Sequence, residues 1–334
     1  MRAAVYRKYG PANVVQVQDV AKPAPAPGEV LIKVHTSTLS AADYRARTLD
    51  VPRGLRIPSA LSLGIFRPRT PILGMDAAGV IEAVGAAVTT FTPGDEVIAM
   101  LGARFGGHAE YVTVPQNGII ATKPRNMSFE QAVTLVFGGL PALGFMKHAT
   151  IKPGDSILIN GASGAVGTAA VQLAKHFGAD VTGVCSRDKA ELVASLGADT
   201  VIDYSTHDFT ADSRTYDVIM DCAGNASFER VEGLLRPGGA LLLVIADLKA
   251  VLLARARSRR SGKLVVVSAG KYTAEDLAFL VALAESGAYR AVIDRTYDLP
   301  DIVEAHRFVE SGRKRGNVVV RVAATTSSPA PPDP

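Results

Sequence analysis

Over the first third of the chain, apolar and polar positions alternate in short runs: AAVYRKY, VVQVQDV, EVLIKVH, AGVIEAVG, DEVIAML and AEYVTV. A period of two marks strands with one buried face. The proline and glycine turns between the runs, such as PAPAPGE and FTPGDE, predict a compact β-rich unit over residues 1–121. Between Asp43 and Leu73 the rhythm fails: six arginines and four prolines stand there without a period. That stretch predicts a long loop with a short helix, and loops so long in a compact domain are commonly functional.

After Met127 the period lengthens. SFEQAVTLVFGGLPALGFMKH predicts a helix, a glycine-rich break and a second helix. Strands then alternate with helices: SILIN, a helix over 166–177, DVTGVCS, a helix over 189–196, TVIDY, DVIMDCAG, a helix around 228–235 and GALLLVIA, with LVVVSAG closing the series. Such alternation implies parallel βαβ units and a doubly wound sheet, here spanning 122–270. From Tyr272 onward, AEDLAFLVALAESG, AVIDRTY, IVEAHRFVESG and GNVVVRV mix helix and strand, and most simply return to complete the first domain with residues 271–322. The polar, proline-rich TTSSPAPPDP leaves 323–334 as a disordered tail.

Composition narrows the function classes. A length of 334 residues suits two domains, and 48% hydrophobic with 20% charged residues is an ordinary globular balance. The net charge is only +4 and the basic residues are dispersed, so a nucleic-acid partner is not expected. No apolar signal core opens the chain, which predicts a cytoplasmic protein. The apolar stretch GALLLVIADLKAVLLA is interrupted by Asp247 and Lys249 and falls short of the roughly 20 residues of a span, so no membrane partner is expected either. Cys185 and Cys222 sit in apolar runs and read as buried free thiols. The six histidines are scattered without metal-ligand spacing, and no metal is predicted. The run ARARSRRSGK reads as a solvated helix end; with the arginines of 45–69 it alternatively suits an acidic substrate such as an acyl thioester carrying phosphates.

The sharpest motif is ILINGASGAVGTAAVQLAKHFG, in which Ala162-x-Gly164-x-x-Gly167 ends a strand and opens a helix. Gly164, Ala165, Val166 and Gly167 let the backbone approach a pyrophosphate, which then meets free amides and the positive helix end. Val166, Ala170, Leu173, Ala174 and Phe177 give that helix one apolar face. The next strand ends in Cys185, Ser186 and Arg187 rather than a carboxylate. A hydroxyl and a guanidinium suit a 2′-phosphate, which favours NADPH, although Asp188 stands close enough to pair with Arg187. Tyr204 reads either as a flank for the adenosine phosphate or as an ordinary strand-end tyrosine.

Taken in order, GMDAAGVIEAVG, PGDEV, the glycine turn, VTGVCS, LGAD, VIDY, YDVIMDCAG, LRPGG and EAHRFVESGRKRGNVVV resemble the medium-chain dehydrogenase/reductase superfamily over residues 1–322, most nearly its zinc-free quinone oxidoreductases and enone or enoyl reductases. The resemblance implies an α/β fold: a doubly wound parallel Rossmann sheet beside a β-rich, GroES-like catalytic domain. It also implies a nicotinamide cofactor in the interdomain cleft. Where zinc-dependent relatives carry ligands, this chain has Ser40 and Gly74-Met75-Asp76, and no cysteine precedes Cys185. A thioether and a hydroxyl do not make a closed zinc site.

What the resemblance implies is hydride transfer to a quinone or to an enone or enoyl C=C, with positioning as the main catalytic device. Relatives use an Asn-x-x-Asp stretch; here it is Ser40-Ala41-Ala42-Asp43-Tyr44, and Ser40, Asp43 and Tyr44 are the candidate catalytic residues, with Tyr44 the candidate proton donor and Asp43 a residue that orders the loop or the nicotinamide ribose through Arg45 or Arg47. Pro141 stands where many relatives have a threonine. By position, Phe137, Cys222, Ala223, Gly224, Ser268, Ala269, Gly270, Arg315 and Asn317 match stretches near the cofactor. A metal-free carbonyl or alcohol dehydrogenase and a non-catalytic NADPH-binding protein are the competing readings. The apolar closing strand LVVVSAG, if it forms a sheet edge, predicts a homodimer.

Overall fold

The computed structural model describes residues 1–211 and 213–322; the predicted tail lies outside the described residues. The chain opens with β1 (Arg2–Tyr6) and β2 (Val15–Asp19), an antiparallel pair. The eleven-residue β3 (Glu29–Leu39) follows, then α1 (Ala41–Thr48) and α2 (Arg56–Leu63). The arginine-rich stretch therefore carries two helices where one was expected. Four further strands complete this part: β4 (Asp76–Val84), β5 (Glu96–Met100), β6 (Tyr111–Pro115) and β7 (Ile120–Thr122).

Helices α3 (Phe129–Thr134) and α4 (Leu140–Ala149) are joined by a π-helical turn over Leu135–Gly139, not by a break. The glycines predicted to interrupt the helix instead allow close approach: a Cβ on Gly138 would stand 3.0 Å from the Ala165 carbonyl oxygen. The run Phe129–Ala149, with a mean hydropathy of 1.3, is long and apolar enough to cross a bilayer, but most of it is buried between the two large sheets. Val133, Val136, Leu140 and Phe145 share one core with Ala78, Ile98 and Met100 of the first sheet and Ile157, Ile159 and Met220 of the second.

The second sheet begins with β8 (Ser156–Asn160), α5 (Ala165–His176), β9 (Asp180–Cys185), α6 (Ala190–Ser195) and β10 (Thr200–Asp203). It continues with β11 (Tyr216–Asp221), α7 (Phe228–Val231), β12 (Leu235–Leu243), α8 (Leu248–Ser261) and β13 (Leu264–Val266). The strand order is β10-β9-β8-β11-β12-β13, all parallel. Chain direction across the sheet reverses between β8 and β11, and open α/β sheets bind ligands at the carboxyl ends of such strands.

Helix α9 (Ala274–Glu285) packs Leu277, Leu280 and Leu283 into the core around α4 and α5. Only β14 (Ile293–Asp298) and β15 (Asn317–Arg321), separated by α10 (Ile302–Glu310), join the strands of the amino-terminal part. The sheet so completed runs β14-β15-β3-β4-β5-β7, with β6 also on β3. Its core gathers alternate residues such as Val30, Ile32, Val34, Ile81, Val318 and Val320.

Candidate active site

Between the sheets, at the reversal point, lies a cleft of about 510 Å3 whose wall includes Gly164, Ala165, Val166 and Gly167. Gly164 caps α5 in an extended conformation without a side-chain bond, so the amides of the first helical turn have no intrahelical acceptor. Gly167 is fixed by space: an added Cβ would lie 2.1 Å from the Gly161 carbonyl oxygen. The turn is pinned on two sides. Gly161 and Ala162 donate to Val184 O at 3.1 and 3.0 Å, and Gly316 donates to Ser163 O at 2.8 Å. Free amides at a helix start beside a cleft make an anion cradle.

At one end the wall is Cys185, Ser186, Lys189 and Tyr204. Arg187, expected to meet a phosphate, is exposed and absent from the cleft wall, while Lys189, overlooked in the sequence, takes that place. The signal was present as Ser186-x-x-Lys189, where a short helical turn brings the lysine back over the serine. Asp188 is occupied: Ser186 Oγ donates to it at 2.6 Å, and Arg315 pairs with it at 3.1 Å. These contacts hold its carboxyl below the usual range. Arg315 thus acts through Asp188 and is not part of the wall. Its neighbour Lys314 is; burial pushes that ammonium down to about 8, and its Nζ donates to Gly316 O at 2.7 Å. Asn317 is buried behind the turn, where its Nδ2 donates to Val292 O at 3.1 Å.

At the other end stand Phe137, Pro141, Phe145, Cys222, Ala223 and Tyr272. Burial raises the Cys222 thiol well above its ordinary range, so it stays protonated. Gly224 turns away at φ +83° and lines an adjoining cavity of about 560 Å3. Ser268, Ala269 and Gly270 do not line the cleft; Gly270 N donates to Ser268 Oγ at 3.2 Å, and the loop presents Tyr272 instead. The Tyr272 hydroxyl makes no hydrogen bond among the described residues.

Helix α1 supplies the opposite wall, and here the sequence-based candidates are redistributed. Ser40 and Asp43 form a capping box: Ser40 Oγ accepts from the amides of Ala42 and Asp43, and Asp43 Oδ2 accepts from Ser40 N and Oγ at 2.8 and 2.6 Å. Asp43 Oδ1 takes the Gly74 amide at 2.9 Å. Both residues are buried and saturated, so they hold the helix rather than touch a ligand. Asp43 pairs with neither Arg45 nor Arg47. Tyr44 lines the 560 Å3 cavity, but its hydroxyl donates to Asp50 Oδ2 at 2.6 Å, which raises its pKa.

Arg45 lines both the cleft and the cavity. It is half-buried, its guanidinium makes no ion pair or hydrogen bond among the described residues, and desolvation lowers its pKa. Arg47, by contrast, is fully buried, donates to His306 Nδ1 at 3.4 Å and pairs with Glu310. His306 in turn stands edge-on to His108, the ring centroids 6.4 Å apart, so two histidines that looked scattered meet in the core.

Two residues at the positions where zinc-dependent relatives carry ligands are committed to other bonds. Ser40 is spent in its capping box, and Asp76 is sealed by Thr38 N at 2.7 Å, Thr38 Oγ1 at 2.5 Å and Ser37 Oγ at 3.0 Å. Burial pushes the Asp76 carboxyl up to about 7. Among the described residues, no group of three or more His, Cys, Asp or Glu side chains converges as metal ligands do.

Residues 26–124 match the family described as alcohol dehydrogenase GroES-like domain, and residues 196–320 the family described as zinc-binding dehydrogenase. A 2-methylene-furan-3-one reductase from Solanum lycopersicum is 33% identical over 96% of this chain and 79% of its own length. An NADPH-dependent alkenal/one oxidoreductase from Arabidopsis thaliana is 31% identical with the same two coverages, 96% and 79%. Among solved structures, the quinone oxidoreductase from Coxiella burnetii superposes with a TM-score of 0.86 at 28% identity, over 97% of this chain and 99% of that one.

Proposed function

The chain belongs to the medium-chain dehydrogenase/reductase superfamily, among its quinone oxidoreductases and enone reductases, and from that premise we propose an NADPH-dependent, zinc-independent reductase that delivers hydride to a quinone or to a carbonyl-activated C=C bond. The observation that carries this reading is Arg45, a half-buried guanidinium that faces Asp50 only at a distance and makes no hydrogen bond or ion pair among the described residues, in the wall shared by the cofactor cleft and the adjoining cavity. A partly desolvated guanidinium with no contact partner is completed by a ligand oxygen that carries negative charge.

Once bound, the cofactor supplies the hydride at its nicotinamide ring. The first-turn amides of α5 would hold the pyrophosphate, and Ser186, Lys189 and Tyr204 would hold the adenosine 2′-phosphate. Phe137, Pro141 and Phe145 exclude water from the opposite end. Arg45 would stabilise the oxyanion that develops when hydride reaches the acceptor, the task a metal performs elsewhere. Tyr272, whose hydroxyl makes no hydrogen bond among the described residues and which stands at the end of the cleft walled by Phe137 and Pro141, would donate the proton.

The deciding experiment is oxidation of NADPH and NADH by the purified protein with quinones, enones, enoyl thioesters and aldehydes, and reduction of NADP+ with alcohols. Faster loss of NADPH with quinone or C=C acceptors supports the proposal. Turnover confined to aldehydes and alcohols would replace it with a metal-free carbonyl or alcohol dehydrogenase. Tight NADPH binding without turnover on any acceptor would replace it with a binding role.

A further inference from the structure

The segment between α1 and β4 carries charge and apolar surface that the cofactor cleft does not use. From Val51 to Met75 the chain has four arginines, Arg53, Arg56, Arg67 and Arg69, and no aspartate or glutamate. All four are exposed, and none enters an ion pair among the described residues. Leu63 turns one side of α2 to the core, and among the described residues nothing covers the other. Ile57 and Leu61, one helical turn apart, are 74% and 54% exposed, and Ile65 and Phe66 just beyond the helix are 56% and 92% exposed. The loop that presents them is fixed: Tyr9 Oη donates to Gly64 O at 2.6 Å and Arg69 N to Leu63 O at 2.8 Å.

A second feature lies beside Phe66. Arg7, at the end of β1, joins Arg67 and Arg69 around a shallow cavity of about 410 Å3 walled otherwise by Pro68 and Pro71, with no carboxylate in its lining. Among the described residues, the Arg7 guanidinium bonds only to the uncharged Gln18 amide oxygen, at 3.4 Å. Single exposed apolar residues are commonplace, but four within ten residues, rimmed by unpaired guanidiniums, form a docking surface for something both apolar and anionic. A second copy of the chain is a poor occupant, because a two-fold contact would set the same arginines against one another.

We propose that α2 and the loop to Arg69 dock on an anionic lipid bilayer, Ile57, Leu61, Ile65 and Phe66 entering the headgroup boundary while Arg7, Arg67 and Arg69 meet lipid phosphates. This departs from the sequence expectation of no membrane partner, which concerned spanning segments; an interfacial element needs only a short apolar face and a basic rim. The proposal does not depend on the reaction assigned to the cleft. Docking there would hold the mouth of the 560 Å3 cavity, whose wall includes Asp50, Val51, Pro52 and Arg53, toward the bilayer, which suits a lipid-soluble acceptor.

The test is co-sedimentation of the full chain with vesicles of phosphatidylcholine alone and of phosphatidylcholine mixed with phosphatidylglycerol. Binding is expected only to the mixed vesicles, weakening as salt is raised. The double variant Arg67→Gln/Arg69→Gln should lower the partition coefficient by about tenfold or more, and Ile65→Ser/Phe66→Ser should lower it comparably, with melting temperatures unchanged because these side chains are exposed. No binding to the mixed vesicles, equal binding to both, or binding indifferent to either double variant overturns the proposal. So does light scattering in which Ile65→Ser/Phe66→Ser splits a dimer, since the face would then be a contact between copies.

Discussion

Asn160, the last residue of β8, donates from Nδ2 to Asp221 Oδ1, on the last residue of β11, at 2.8 Å across the point where the strand order reverses. Asp221 also accepts the amides of Ala223 and Gly224 at 3.0 Å and of Ala226 at 2.9 Å. One buried carboxylate thus ties two strand ends together and shapes the loop that walls the cofactor cleft. Asp221→Ala removes the acceptor of four donors, of which the Ala226 amide is buried, and a loss of about 2 to 3 kcal/mol in urea unfolding is expected, with weaker cofactor binding. Asn160→Ala should cost about 1 kcal/mol. Wild-type stability in Asp221→Ala would show that the tie is incidental.

The proposed NADPH preference is testable at Lys189. Removing its ammonium from the cleft should weaken NADPH by about 1.5 to 3 kcal/mol while leaving NADH nearly unchanged, as for a charge-assisted contact to a phosphate. Arg187→Ala, on the exposed side of the same turn, should cost less than about 1 kcal/mol. Fluorescence titration of both variants with both cofactors decides. Equal losses for the two cofactors in Lys189→Ala, or a larger effect from Arg187→Ala, would falsify the assignment.

Those two residues also show what the sequence could and could not reveal. Strand and helix periods sufficed for the parallel sheet and its glycine turn, because strict alternation of strand and helix leaves few topologies and the turn runs directly from one strand into one helix. Which basic side chain faces the cleft depends on the helical turn Arg187–Lys189, for which the Ser186-x-x-Lys189 spacing is the one sequence signal. The same limit applies on α1: Tyr44 and Arg45 are adjacent in sequence, but a hydrogen bond to Asp50 holds the former while the latter reaches the cofactor cleft. The meeting of His108 with His306 and the placing of α9 beside α4 are long-range packing outcomes, invisible to local pattern.

His306 makes the fold acid-sensitive. Burial, with the charges of its neighbours, drives its pKa well below the ordinary histidine value, so the folded protein keeps it neutral while the unfolded chain protonates it. Its contribution is present above about pH 6.5 and is lost as pH falls below that, by up to about 1.4 kcal/mol per unit. Asp76 has the opposite sign: its folded pKa is raised, so its contribution is largest at low pH and fades as pH rises toward 7. Comparing His306→Asn with wild type cancels the Asp76 effect. The variant should lose less stability than wild type between pH 7 and pH 5, and parallel curves would refute the role of His306.

Strand β13 is the edge of the parallel sheet, with Leu264 41% exposed. An unpaired apolar edge favours pairing with its copy, so a homodimer is expected in light scattering at micromolar concentration, and Leu264→Lys should shift it toward monomer. A monomeric wild type would exclude this edge as a subunit contact.

Arg45 separates binding from chemistry. A guanidinium that acts on the developing oxyanion contributes little to the ground state, so Arg45→Gln should lower kcat for the acceptor by about 100-fold, the scale of losing one oxyanion donor, while the Kd for NADPH changes by less than about threefold. Arg45→Lys keeps the charge but loses the planar fork, and should recover part of the rate. If the guanidinium instead clasps the cofactor, both variants raise the NADPH Kd and kcat at saturation is preserved. Stopped-flow single turnovers, which isolate the hydride step from product release, distinguish the two, because only an oxyanion role slows the transfer itself once NADPH is saturating.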